Sequence, residues 1–308
     1  MHLQYRSLSY GSISQSSLWS LHPWASFSLE TEFHASLKRL GIISPPIVME
    51  SNTTSYTIIS GHRRIEFART YLQQNTIDCR VIKKDIDAHL LFDIILEDLA
   101  SPTALSLAEK SRFLSIASGF FETTQLAPLF FKKLGINRKQ SFLKDLFHLL
   151  DQDDSFIEQA HNGLIEEQML SELLRLKEKD RSALITLFSA LNLGAGKQKK
   201  TVNLLRDAAY KEGASIKDYI EGKEVRAITE DETLNVPQKI QHLDRYLQQK
   251  ISPQSLNAEN EFADQVKALK LEKNQTISHS PAFEKNTVIL STEFESLEEC
   301  SIFLQKPN

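Results

Sequence analysis

Cysteine is almost missing from this chain. Cys79 and Cys300 are the two in 308 residues, and thiols so far apart give neither a disulfide framework nor the cysteine spacing of a zinc site. That usage is expected of a reducing cytoplasm. Long apolar runs are missing too. Nowhere do about eighteen apolar residues follow one another, so no membrane span is expected. The stretch before residue 25 is Ser-rich, with two tryptophans, two histidines and no apolar block, unlike a secretory signal. An excess of basic charge is also absent. Lys and Arg total 36 against 40 Asp and Glu, for a net charge of −4, so any contact with nucleic acid needs a local patch. The nine histidines are scattered, and no pair falls at metal-ligand spacing, so no zinc is expected.

What remains is ordinary for a globular protein of two or three domains, 41% apolar and 25% charged. Residues 1–28 read as irregular or short-strand structure. Leu29–Leu40 carries Phe33, Leu37 and Leu40 at helical spacing and stops at Gly41, where a helix C-cap is expected. Ile42–Val48 reads as a strand entered through Pro45 and Pro46, and 51–55 as a turn. Tyr56–Ile59 and Thr76–Lys83 read as strands, and Asp87–Leu99 as a helix. Strands and helices thus alternate to about residue 100, the mark of a small α/β domain.

Beyond Pro102 the strand signals stop. Helices are expected over 105–121, 126–134 and 138–150, the last two joined by Gly135-Ile-Asn137 in a helix-turn-helix outline. Lys132, Lys133, Arg138, Lys139 and Lys144 cluster there with no acid among the residues from 132 to 144. With Gln140 and Ser141 they form an expected contact surface for double-stranded DNA. The pattern stays helical to about 220. A charged linker is expected at 222–236, helices broken at Pro253 over 236–273, loose chain over 274–281, a strand at 287–294 and a helix at 296–305. The expected domains are 1–100, 101–221 and 237–308, with the linker between the last two. The fold class is α+β. The last region is assigned to dimerisation or partner binding.

The most informative stretch is Tyr56-Thr-Ile-Ile-Ser-Gly-His-Arg-Arg-Ile-Glu-Phe-Ala-Arg69. A strand that ends at Ser60-Gly61 and hands over to a helix leaves free N–H groups at the helix start, which attract anions. Arg63 and Arg64 add forked cations suited to phosphate. A phosphate cradle and a solvated surface turn are both compatible with the spacing alone.

Gly41-Ile-Ile-Ser-Pro-Pro-Ile-Val48 and Tyr56–Ala68 resemble the two N-terminal boxes of the ParB family of DNA partition proteins. Leu96-Glu-Asp-Leu99 and Leu105–Lys110 resemble that family's third motif and the start of its DNA-binding helices. The resemblance spans roughly residues 8–215. It implies a ParB/sulfiredoxin-like nucleotide-binding domain, a helix-turn-helix domain, CTP with Mg2+ as ligands, and a cytoplasmic homodimer that works in chromosome or plasmid partition, with a partition ATPase as a further partner. Position by position, Ser60, Gly61, His62, Arg63 and Arg64 would hold the triphosphate and Gly41, Pro45 and Pro46 would shape its pocket. Glu97 and Asp98 would lie on the magnesium side, Glu97 also being the carboxylate for any weak CTP hydrolysis. Three positions depart from the pattern. His62 replaces the usual glutamate, Asp98 the asparagine and Ser101 the arginine of the third motif.

Two other functions stay open on sequence. One is a ParB-like kinase of a small molecule, with Glu66 or Glu97 as its carboxylate; the other is a scaffold with an inactive nucleotide site. A sulfiredoxin reading fails because no cysteine follows Gly61. Gly194-Ala-Gly-Lys197 is not a phosphate loop, since Gln198 stands where the magnesium-binding Ser or Thr belongs. It reads as a helix-helix turn.

Overall fold

A computed structural model describes residues 4–14, 16–22, 31–72, 74–99, 104–280 and 287–305. The chain forms two units, Met1–Ser189 with Leu193–Gln198, and Ala190–Asn192 with Lys199–Asn308.

The first unit begins with a mixed five-stranded sheet. Its strands are β1 (Gln4–Ser9), β2 (Ile13–Ser14), β3 (Ile47–Glu50), β4 (Tyr56–Ser60) and β5 (Thr76–Ile82), in the order β1-β5-β3-β4-β2. β3 lies parallel to β5 and antiparallel to β4, while β1 closes one edge antiparallel to β5. The β3–β4 connection is the expected turn, where the Asn52 carboxamide oxygen accepts from the N–H groups of Thr54 and Ser55. Three helices accompany the sheet: α1 (Thr31–Leu40), α2 (His62–Tyr71) and α3 (Ala88–Asp98).

Alternation along β5 decides what each side of the sheet does. Ile77, Cys79 and Val81 are buried in one cluster with Val48, Ile58 and the α2 residues Ile65 and Ala68. Arg80 and Ile82 therefore face the other side, where α3 lies. Cys79 is free and buried, and burial pushes its thiol up to about 12, which leaves it inert at neutral pH.

Seven helices complete the first unit before its last turn: α4 (Leu107–Ala117), α5 (Thr123–Phe130), α6 (Leu143–Leu150), α7 (Asp154–His161), α8 (Glu167–Leu174), α9 (Glu178–Ala190) and the start of α10 (Ala195–Glu212). α4 starts at a capping box, Ser106 with Glu109. Phe92 of α3 joins the sheet region to these helices. Its ring lies 5.5–5.6 Å from those of Phe113, Phe120, Phe121 and Phe130, and 6.0 Å from Trp19. Burying such rings contributes roughly 1.5–3 kcal/mol each, beyond which their edge-to-face contacts add more.

The expected helix from 138 differs. Residues Gln140–Phe142 form a 3-10 turn and α6 starts at Leu143, with Phe142 and Leu143 both buried. At Gly194–Lys197 no loop for phosphate forms. Gln198 is buried on α10 and donates its amide to the carbonyls of Leu164 and Leu193, at 2.8 and 2.7 Å.

The second unit holds the rest of α10 with α11 (Ile216–Ile220), α12 (Lys223–Thr229), α13 (Val236–Ile251), α14 (Pro253–Ala268), β6 (Gln275–His279), β7 (Val288–Thr292) and α15 (Leu297–Gln305). The charged segment 222–236 is not all linker, since α12 forms within it and buries Val225. The break at Pro253 is where the sequence puts it. Residues 274–281, read as loose chain, contain β6, which pairs antiparallel with β7. Polar β6 has no apolar alternation to announce it, and it is ordered through its partner strand.

Candidate functional site

The end of β4 and the start of α2 form the floor of a cavity of about 300 Å³, walled by Trp19, His22, Phe33, Ser60 and the turn Gly61–Arg64, with Asp98 behind. Gly61 is irreplaceable here for two reasons. Its φ of +90° lies in the left-handed region, and a Cβ would stand 2.9 Å from both Pro46 Cβ and Arg64 Nε. The first helical bond of α2 runs from the Ile65 N–H to the Gly61 carbonyl, so the N–H groups of His62, Arg63 and Arg64 have no partner within the helix. No side chain caps that end.

The arginines divide the work. The Arg63 guanidinium lies 4.3 Å from the centroid of the Phe33 ring, a cation–π contact. Arg64 is tied down twice, donating to the Ser44 carbonyl at 2.6 Å and to Asp98 Oδ2 at 2.7 Å. Ser60 Oγ donates to the same oxygen at 2.5 Å, and Arg80 pairs with Asp98 Oδ1. Arg80 also donates through Nε to the Pro45 carbonyl at 3.1 Å, and its backbone N–H to the Pro46 carbonyl at 2.8 Å. The Asp98 side chain is 2% exposed. One buried carboxylate thus pins two guanidiniums and a hydroxyl, so this set of side chains carries one positive charge in excess. His62 does not add to it. Burial holds its imidazole down to about 4, a backbone hydrogen bond at Ser16 opposing and His22 adding to the effect, so the ring is neutral at pH 7.

Of the residues singled out in the sequence, Ser60, Gly61, His62, Arg63, Arg64 and Asp98 wall the cavity together. Pro45 and Pro46 support it from behind through Arg80 and Gly61. Gly41 ends α1 with φ +71°, and Glu97 is exposed on α3; neither walls the cavity. Both carboxylate oxygens of Asp98 are occupied by Arg64, Ser60 and Arg80. Arg80, Trp19, His22 and Phe33 were not assigned to the site from the sequence. Arg80 had a visible signal, a charge within a strand whose alternate residues are all apolar.

The basic cluster lies on the turn after α5, the 3-10 turn and the start of α6. Gly135 (φ +68°) turns the chain, and the Ile136 N–H returns to the Phe131 carbonyl at 2.8 Å. Lys132, Lys133, Arg138, Lys139, Gln140, Ser141 and Lys144 are all exposed, while Leu134, Phe142 and Leu146 between them are buried. Lys133 pairs with Asp93 at 2.6 Å. Arg138 lies over the Phe142 ring at 5.1 Å beside a groove of about 570 Å³ lined by Pro128, Phe131, Lys132 and Gln140. Among the described residues no helix is long and apolar enough to cross a membrane.

No curated protein matches this chain. Similar solved structures include the C-terminally truncated chromosome-partitioning protein ParB from Caulobacter crescentus complexed to the centromeric parS site. It is 16% identical, with a TM-score of 0.28, covering 63% of this chain and 95% of that one. The same truncated protein complexed with CTP-gamma-S is 15% identical, with a TM-score of 0.23, covering 60% of this chain and 98% of that one. Likeness at this level carries no argument about mechanism. The family match is independent of it: residues 4–97, which contain the whole strand–glycine–helix cradle, match the model of the ParB N-terminal domain. Residues 4–97 of this chain are therefore similar to the ParB N-terminal domain.

Proposed function

We propose that the protein is a ParB-type DNA partition factor whose N-terminal cavity binds a nucleoside triphosphate, CTP by family resemblance, and whose α5–α6 face contacts double-stranded DNA. The observation that carries the nucleotide half is the α2 start. The His62 and Arg64 N–H groups lie outside the helix ladder beside two guanidiniums in a walled cavity, the arrangement that takes phosphate. Arg63 and the N–H groups would hold phosphate oxygens, and Arg64, already fixed by Asp98, would set the rim. Trp19 and Phe33 offer apolar wall for the rest of the ligand.

Magnesium fits these residues less well. Asp98 is committed to cations of the protein and Glu97 stands outside the cavity, so a bound ion would be held chiefly by phosphate and water oxygens. The reading is therefore one of binding, with no hydrolytic step assigned to this chain. The DNA half rests on the exposed basic groups of the turn and α6, with Lys139, Gln140 and Ser141 at the helix start where base edges and phosphates are met.

The C-terminal hairpin and α15 expose Val288, Ile289, Leu290, Leu297 and Leu304. A two-stranded sheet with an apolar surface is not stable alone, which supports homodimerisation through a second copy of this region.

Calorimetric titration of the full chain with CTP, ATP, GTP and UTP, each with Mg2+, tests the nucleotide half. Saturable binding is expected, and Gly61→Ala should abolish it, because the added methyl displaces Arg64 or Pro46. Equal binding by the Gly61→Ala variant, or none by the wild type, rejects the cavity as the site.

A further inference from the structure

The fold gathers three ligating side chains that lie far apart in sequence: His22 of the segment after β2, Glu109 in the first turn of α4 and His161, the last residue of α7. One nitrogen of each ring and one carboxylate oxygen all lie within 4.8 Å of one another. We propose that His22, Glu109 and His161 form a binding site for a divalent metal of the zinc class.

Two imidazoles and a carboxylate are a donor set that suits zinc, and not magnesium, which prefers oxygen alone. Ligand atoms on a tetrahedral zinc stand about 3.3 Å apart, from bond lengths of about 2.0–2.1 Å. His22 Nε2 and Glu109 Oε1 are already at 3.3 Å, and His161 needs a shift of at most about 1.5 Å to reach the same spacing.

The three groups are held in place by their neighbours. Glu109 Oε2 accepts the Ser106 N–H at 2.7 Å, which leaves Oε1 turned toward His22. Ser106 Oγ lies 3.1 Å from His161 Nδ1, the kind of outer partner that orients a metal-bound imidazole. Arg112 donates to the carbonyls of Leu18 and Ser20 at 3.1 and 3.3 Å, and Ser20 Oγ accepts the His22 N–H at 3.1 Å. α4 thus carries both the carboxylate and the clamp that delivers His22. All three residues are half-buried. Three protein ligands leave a fourth position for water, and since His22 also walls the cavity, a metal there would fix that wall.

The test uses the full chain stripped with a chelator, then titrated with Zn2+ by calorimetry and with Co2+ by visible absorption. One zinc per chain is expected, with a rise in Tm by mass action and the intense absorption of low-coordinate Co2+. His161→Ala and Glu109→Gln, the latter keeping an acceptor for the Ser106 N–H, should each weaken zinc at least tenfold, while His279→Ala should leave it unchanged. Co2+ should also shift the ring protons of two histidines in wild-type NMR spectra, a readout that needs no variant to fold. Absence of a stoichiometric site, unchanged affinity in folded His161→Ala, or Co2+ shifts that move to other histidines in number or identity would overturn the assignment.

Discussion

Cations occupy two contrasting settings in the first unit. Around the cavity, Arg64 and Arg80 are nearly buried and share one carboxylate that is itself 2% exposed. On the α5–α6 face the lysines stand in solvent, and the ion pair of Lys133 with Asp93 is about half exposed. Taking charge out of water costs several kcal/mol per ion, so the buried set is tolerable only with every partner in place. The exposed set costs the fold almost nothing and is screened by salt. Position is therefore the currency of the cavity, and number of charges that of the basic face.

The contrast can be broken from its shared support or sharpened at either end. Phe92→Ala has the largest expected effect, about 3–5 kcal/mol of destabilisation, because that ring packs sheet-side and helical groups at once. Urea unfolding should show a lower midpoint with nucleotide and DNA binding lost together. If only one activity fails, the two regions are less coupled than the ring cluster implies. Asp98→Ala follows at about 3 kcal/mol, since it leaves two guanidiniums facing each other without their counter-ion. An Asp98→Ala protein as stable as wild type would show that this network is not structural.

The third effect is one of pH. The His62 imidazole titrates near 4 in the folded chain against 6.5 unfolded, so the unfolded state binds more protons between those values. Stability is full above about pH 6.5 and falls as pH drops toward 4, by up to about 2–3 kcal/mol. His62→Gln should flatten this part of the stability profile; an unchanged slope would assign it to other groups. The smallest change in stability, within about 0.5 kcal/mol, is expected from Lys139→Ala combined with Lys144→Ala. Yet that double variant should reduce the steepness of the salt dependence of DNA binding by about 2 in log–log slope. An unaltered slope would remove both residues from the interface.

How much of this was legible in the sequence depends on the range of the cause. The strand–glycine–helix cradle was readable because a left-handed residue between a strand and a helix is a local demand that only glycine meets cheaply. The apolar spacing of α13 and α14 and the break at Pro253 are local in the same sense. Polar β6 was not legible, since its order comes from a partner strand. Neither was the role of Asp98, which a motif reading places beside magnesium and the fold places between Arg64 and Arg80.

The sequence by itself determined the α/β start, the helical remainder, the Gly61 cradle and the run of bases on the turn, because each follows from neighbours a few residues apart. Only tertiary structure decided which carboxylate meets which guanidinium, that Arg80 turns to the Asp98 side of its strand, and that histidines 139 positions apart stand beside Glu109. Those outcomes depend on how the sheet, α3, α4 and α7 pack, and packing sums many weak long-range contacts that no single stretch of sequence contains.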